Sequence, residues 1–137
     1  MKKAVLLIVL VWLLVAANGE TAFAQEKRLR STPKAFQTFY AKFKSAMVKG
    51  DKKSVASLTQ FPFQYGFDAG DEGTFSKAQF TKKFNELFGE YKDLFAQNNP
   101  VFFSEAGAFD LTSDDATHFR FEKKGASYKF TAMMSEP

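Results

Sequence analysis

Phenylalanine dominates the apolar side chains of this chain, and that imbalance limits how the chain can fold. Beyond residue 24 the sequence has 17 Phe, five Leu, three Val and no Ile, and the whole chain has no Cys. Disulfides and thiolate metal sites are therefore excluded, so an apolar core alone must hold the fold. Each Phe ring buries a large area and fills a wide gap. Such a core is either packed solid with rings or encloses an apolar pocket.

The N-terminal residues predict export. Met1–Lys3 is basic, Ala4–Ala17 is a run of 14 apolar residues, and Ala22 and Ala24 stand where a signal peptidase reads small side chains. This order is typical of a secretory signal, and the apolar run is shorter than the ~20 residues of a membrane span. We expect the mature protein in the periplasm or outside the cell, with no membrane span after cleavage. The predicted parts are a cleaved signal peptide at 1–24, a flexible leader at 25–31 and a single α+β domain at 32–137.

The charged residues do not indicate a nucleic-acid partner. Beyond residue 24 there are 14 Lys, three Arg and 14 acidic residues, which gives a net charge of +3. The lysines are scattered, whereas phosphate recognition favours clustered Arg and Lys. The one local cluster (Lys27, Arg28 and Arg30) lies in the predicted leader and is typical of a disordered segment.

Two helices and a corner are predicted before residue 60. Thr32 is expected to cap the first helix with Pro33 at its first position, and aromatic residues then recur at helical spacing through Met47. Gly50 is expected to end this helix in the left-handed region. Asp51 is expected to cap the next helix by accepting the backbone N–H of Ser54.

An apolar strand and a long helix are predicted next. Phe61, Phe63, Tyr65 and Phe67 alternate and share one strand face, and Pro62 predicts that this strand is an edge strand or begins at the proline. Residues 68–73 read as a turn. A capping box of Ser76 and Gln79 then opens one long helix, bent at Gly89, that ends near Pro100.

The C-terminal part is predicted to be β. Short strands are expected at 101–104 and 108–112, followed by a hairpin of 117–122 and 126–134 around a turn at 123–125. Phe119 and Phe121 would share one face of this hairpin, and His118, Arg120 and Glu122 would share the other. Tyr128, Phe130 and Ala132 would share the matching face. The fold class is therefore α+β, with N-terminal helices packed on a curved antiparallel sheet.

This order of elements resembles the nuclear transport factor 2-like superfamily, also called the cystatin-like α+β cone. The residues that carry the resemblance are Phe36–Met47, "KGDKKSVASL" at Lys49–Leu58, "FPF" at Phe61–Phe63 and the hairpin at Thr117–Met134. The resemblance implies a sheet that curls around the helices and often leaves an apolar pocket. It also implies that the relatives include isomerases, dehydratases and binding domains. The sheets of such proteins often pair face to face in dimers.

The residues that carry chemistry elsewhere are poorly placed for it here. His118, the only His, alternates with Phe119 and Phe121 and so points away from a pocket beneath those rings. Asp110 alternates outward in the same way. The acidic run at 68–73 lacks the acids of a calcium loop at its third and twelfth positions. We predict no catalytic residue, no metal site and no cofactor.

The functional hypothesis is a non-catalytic module that binds a small ligand or a partner. If a pocket exists, the sequence predicts that it holds a small apolar ligand and is lined by Tyr40, Phe43, Tyr65, Phe84, Phe121 and Tyr128. Pairing of the sheet face in a homodimer is the second form of this hypothesis. The alternative is an isomerase- or dehydratase-like enzyme that acts on a small apolar substrate in the cone. A buried carboxylate beside a cavity would favour the enzyme, and a filled interior would favour the interaction module.

The export hypothesis makes a direct prediction about the mature chain. Cleavage after Ala24 should leave Gln25, or its cyclised form, as the first residue of the protein recovered outside the cytoplasm. Mass spectrometry of that fraction measures the N-terminus. An exported pool that keeps Met1 would contradict cleavage.

Overall fold

A computed structural model describes residues 32–67 and 70–136 of the chain. The predicted signal peptide and leader lie outside the described residues. Helices and strands follow in this order: α1 (Lys34–Lys49), α2 (Lys52–Ser57), β1 (Thr59–Phe67), β2 (Asp71–Phe75), α3 (Lys77–Phe88), α4 (Lys92–Ala96), β3 (Phe102–Glu105), β4 (Ala108–Thr112), β5 (Thr117–Lys124) and β6 (Ser127–Ser135). The α+β fold class predicted from the sequence is confirmed. Among the described residues, no helix is long and apolar enough to cross a membrane.

The sheet has six strands in the order β2-β1-β6-β5-β4-β3. Every neighbouring pair is antiparallel except β1 and β6, which run parallel. The sheet is thus mixed rather than wholly antiparallel as predicted. The C-terminal strands form a meander, and the meander brings the last strand back beside the first.

The predicted corner between the first two helices is confirmed. Gly50 has a φ of 68° and its N–H bonds to carbonyl groups of the last turn of α1. Asp51 accepts the backbone N–H of Ser54 at 3.1 Å, as the sequence predicts. The N-cap of α1 differs, because Pro33 occupies it and Thr32 lies one residue further out. There the side-chain amide of Gln37 donates to the Thr32 carbonyl at 2.8 Å.

The predictions for the first strand and the turn after it are wrong in part. β1 begins before Pro62 and lies between β2 and β6, so it is not an edge strand. Pro62 is tolerated because pairing with β6 is interrupted between Thr59 and Gln64, and pairing with β2 begins only at Phe63. The turn predicted at 68–73 is wrong from Asp71 onward, since Asp71 pairs with Phe67 as the first residue of β2.

The second long helix opens as predicted and is then interrupted. Ser76 and Gln79 form the complete capping box, with both hydrogen bonds present. The α-helix ends at Phe88, whose φ of −122° and ψ of −5° lie outside the helical region. A 3₁₀ turn at Gly89–Tyr91 leads into α4. The predicted bend at Gly89 is therefore a break between two helices.

Within the closing hairpin, β6 has one residue more than the part of β5 that pairs with it. This extra residue changes the faces on which the side chains of β6 lie. Phe121 pairs with Phe130, but Arg120 pairs with Ala132, so Thr131 is the extra residue of a β-bulge. After the bulge the alternation is inverted. Met133 packs in the core opposite Phe119, and Ala132 points to the other face, which corrects its predicted position.

Aromatic rings form the layer between helices and sheet. Phe43 of α1 and Phe121 of β5 are both 0% exposed, and their ring centroids lie 5.0 Å apart at an interplanar angle of 82°. Phe119 meets Phe95 of α4 at the same centroid distance of 5.0 Å. Edge-to-face geometry of this kind is the favoured arrangement for aromatic pairs. The described core is therefore held by ring contacts between elements that are distant in sequence.

Removing one of these rings should destabilise the protein strongly. We expect Phe121→Ala to lower the free energy of unfolding by about 3–5 kcal/mol, because the cavity adds to the lost burial. Val48→Ala is the control, since Val48 is 45% exposed on α1, and it should change the free energy by less than about 0.5 kcal/mol. Denaturant unfolding of both variants measures the difference. Equal effects would contradict the core described above.

Candidate functional site

The face of the sheet turned away from the helices carries an ion pair. We call the residues of β4, β5 and β6 on this side the outer face. Asp110 and Arg120 lie opposite each other in register. Arg120 donates from Nε to Oδ1 at 2.9 Å and from one terminal nitrogen to Oδ2 at 2.8 Å. The hydrogen bonds to Asp110 raise the pKa of Arg120. A bidentate salt bridge of this kind fixes both side chains in position.

His118 lies on the same outer face, as its alternation predicts. Its Nδ1 is 3.0 Å from the hydroxyl oxygen of Thr112, the residue paired with it in β4. Its Nε2 is 3.2 Å from a carboxylate oxygen of Glu136. Nε2 is buried and makes no hydrogen bond among the described residues, because its contact with Glu136 is not aligned for one. The ring is held between two neighbours and does not face the core.

Apolar side chains flank these polar groups. Met134 is 40% exposed and pairs with His118 in register. Its sulfur lies against Gly66 of β1, where an added Cβ would come within 2.8 Å of it. Phe103 is 51% exposed and pairs with Asp110. The outer face thus combines Arg and Met side chains, two of the types that are enriched at protein interfaces, and Phe103 of β3 lies beside it.

The six residues predicted to line a pocket all belong to one core or pack against it, but their rings are not all in contact with one another. Tyr40, Phe43 and Phe121 contact one another. Tyr128 joins them indirectly, through Phe36 and Phe39. Phe84 instead packs on Phe80 and Phe88. Tyr65 stacks on Phe67 and Phe75 at the β2 side of the sheet. Four of the six are buried and the tyrosines at 65 and 128 are half-buried.

The hydroxyl of Tyr40 is unusual among these groups. It is buried, and among the described residues it has no hydrogen-bond partner. Burial strongly raises the pKa of Tyr40. Phe36, Phe43 and Phe102 surround the ring. A buried Tyr hydroxyl normally finds a partner, so this oxygen marks a place where a polar atom would be stabilised.

Two clefts lie on the surface of the described residues. One, of about 350 Å³, is lined by Glu90, Tyr91, Asp93, Leu94, Gln97, Ser113, Asp114 and Asp115. There Tyr91 donates to Asp115 at 2.9 Å. A hydrogen bond from Ser113 is the main cause that lowers the pKa of Asp115, while desolvation raises that of Tyr91. Asp114 and Asp115 form a turn. The other cleft, of about 560 Å³, lies between α1 and α2 and includes Lys42 and Lys49.

Sequence reasoning located part of the outer face and missed the rest. Alternation placed Asp110, Arg120 and His118 on it. The pairing of Asp110 with Arg120 depends on the register between β4 and β5. That register cannot be derived from the residue types alone. Met134 was missed because the bulge at Thr131 shifts its side chain to this face. Within the described residues, no group of three His, Asp or Glu lies close enough to hold a metal ion.

Comparison with known proteins finds similarity of structure only. No family model and no curated protein matches the chain. An NTF2-like protein with a cystatin-like fold from Novosphingobium aromaticivorans is 12% identical with a TM-score of 0.43, over 83% of this chain and 86% of that chain. The beta subunit of a putative aromatic-ring-hydroxylating dioxygenase from the same organism is 13% identical with a TM-score of 0.43, over 84% and 89%.

A third solved structure carries the same family description. It is an NTF2-like protein of unknown function from Silicibacter pomeroyi, 13% identical with a TM-score of 0.40, over 74% of this chain and 92% of that chain. The neighbours therefore bear the family name that the sequence resemblance predicts. Similarity at this level transfers no activity, substrate or partner to this chain.

Proposed function

We propose that this chain is a non-catalytic interaction module that pairs with a second copy of itself through the outer face of its sheet. The observation that carries the proposal is the outer face itself. Arg120 and Met134 project from strands that are fixed by register, so little side-chain or backbone freedom is lost on association. Export to the periplasm or the extracellular space, inferred from the N-terminal sequence, belongs to the same proposal.

The charges of the outer face suit a partner that is identical to it. Asp110 is bonded to Arg120, and a carboxylate oxygen of Glu122 on the same strand as Arg120 lies 3.9 Å from Nζ of Lys124. In a two-fold dimer the outer face of one copy contacts the outer face of the other. The face must therefore carry both positive and negative charges to avoid repulsion. Two adjacent acid–base pairs satisfy that requirement. A face of a single sign would have favoured a different partner.

The packing of the interior supports a binding role outside the cone. Phe43, Phe121 and Phe130 are each 0% exposed and in mutual ring contact. The isomerase- or dehydratase-like alternative requires an acid or base inside the cone. The Asp110 and His118 side chains point away from it, which supports a non-catalytic role.

A charge placed on the outer face should weaken self-association. We expect Met134→Glu to weaken dimerisation at least about tenfold, or about 1.4 kcal/mol, because the carboxylate would lose its hydration at the interface. Val48→Glu is the matched control, because Val48 on α1 is exposed to a similar extent, 45% against 40% for Met134. Sedimentation equilibrium over a range of concentrations measures the dissociation constants. A wild-type chain that stays monomeric, or a Met134→Glu dimer of unchanged affinity, would contradict the proposal.

A second candidate function rests on the Tyr40 hydroxyl. A small apolar ligand with one hydrogen-bond acceptor, such as a ketone, would satisfy that oxygen if the rings around it moved apart. Tyr40, Phe43 and Phe121 of the predicted lining would then contact the ligand. Tyr65, Phe84 and Tyr128 would contact it only if the opening extended along the cone.

Replacing Tyr40 separates this ligand role from simple packing. Tyr40→Phe should raise the free energy of unfolding by about 1–3 kcal/mol, since it removes an unsatisfied buried group. The same change should weaken binding of a fluorescent naphthyl ketone at least about tenfold if the hydroxyl holds the carbonyl. Tyr128→Phe, at a half-buried tyrosine, is the control. Ketone binding that is absent, or that is equal in the wild type and Tyr40→Phe, would refute the ligand role and leave the dimer proposal untouched.

A further inference from the structure

β2 ends the sheet and presents an open edge. It is the last strand in the sheet order, and Asp71, Glu72, Gly73 and Thr74 are all exposed. One side of the strand pairs with β1, and no other described strand lies on the opposite side. The edge therefore presents backbone N–H and C=O groups to solvent. Such an edge is a template for another strand.

Three of the devices that block an edge strand, namely lysine, proline and a bulge, are absent from β2. It contains no Lys and no Pro, and its pairing with β1 runs without a bulge from Phe75 to Asp71. The opposite edge differs, because β3 has four residues and follows Pro100 closely. Lysine, proline and bulges are the common protections against strand addition. Of the two edges, β2 is therefore the one that can accept a strand.

The side chains of β2 define the chemistry of its partner. Asp71 and Glu72 are adjacent and so point to opposite faces, and residues 70–75 contain no base. Pairing two copies of β2 would bring like charges together, which opposes self-association at this edge. Asp71 shares the face of Tyr65, and Glu72 lies on the opposite face, where Lys or Arg side chains of an added strand would be attracted to it. The edge thus discriminates against a second copy and favours a basic segment.

Gly73 and Tyr65 give this edge an aromatic surface. The Tyr65 ring lies across Gly73, where an added Cβ would come within 2.9 Å of its hydroxyl oxygen. The ring also stacks on Phe75 at 4.3 Å between centroids. A half-buried ring is thereby placed beside the edge strand. An apolar or cationic side chain of an added strand would pack against it.

We propose that β2 binds an extended segment of another protein by strand addition, and that the segment alternates basic with apolar residues. Backbone hydrogen bonds to the open edge would supply affinity. Glu72 would select the basic residues, which alternation places on one face of the added strand, and Tyr65 would contact the apolar residues on its other face. This surface lies at the β2 edge of the sheet and differs from the outer face of β4, β5 and β6.

The probe is a short capped peptide that alternates lysine with valine. We expect it to bind the full chain and to bind the Asp71→Lys/Glu72→Lys variant at least about tenfold more weakly, because attraction becomes repulsion at Glu72 and a second positive charge replaces the negative one at Asp71. Glu90→Lys/Asp93→Lys is the matched control at the acidic cleft and should bind as the wild type does. Fluorescence anisotropy of the labelled peptide measures the affinities. If Asp71→Lys/Glu72→Lys fails to fold, Glu72→Gln, which should weaken binding about threefold, replaces it.

Backbone pairing gives a second and independent readout. The same peptide with N-methyl groups on alternate amides should fail to bind, since it cannot complete a ladder. Bound unmethylated peptide should also slow amide hydrogen exchange in residues 71–75. No binding by the wild type, equal binding by the methylated peptide, or loss of binding only in Glu90→Lys/Asp93→Lys would each overturn the proposal.

Discussion

Contact between the ring of Phe121 and the rings around it is the interaction on which the rest of the structure depends. The ring lies 5.0 Å from Phe43 of α1 and 5.2 Å from Phe130 of β6, measured between centroids. It also meets Phe102 of β3 at 6.3 Å. One side chain therefore joins the first helix, the last strand and an edge of the sheet. In a chain without disulfides, these contacts provide the long-range connections that a covalent bond would otherwise supply.

Features that depend on neighbouring residues were predictable, and those that depend on distant pairing were not. The Gly50–Asp51 corner and the capping box at Ser76 follow from local hydrogen bonds, so the sequence alone located them. The parallel pairing of β1 with β6 joins segments far apart in the chain. The bulge at Thr131 exists only relative to β5, and no residue in β6 marks it. The sequence therefore predicted the elements of the fold more accurately than their register.

The same distinction applies to the candidate site. Strict alternation in β5 placed His118 and Arg120 on the outer face without knowledge of any partner. The predicted pocket residues share an apolar character, but within the common core Phe84 and Tyr65 contact other rings than Tyr40 does. Apolar character indicates burial and does not indicate which buried residues meet. The edge at β2 was hidden because its acidic, glycine-containing sequence is typical of a turn.

The bulge in β6 also determines which of two methionine side chains is exposed to an oxidant. Without it, the side chain of Met133 would lie on the outer face and that of Met134 on the inner. With it, Met133 is 4% exposed and Met134 is 40% exposed. Oxidation to the sulfoxide follows exposure, and it changes a flexible apolar side chain into a polar one. Peroxide would therefore modify Met134 first and make the outer face more polar, while the neighbouring methionine in the core stays reduced.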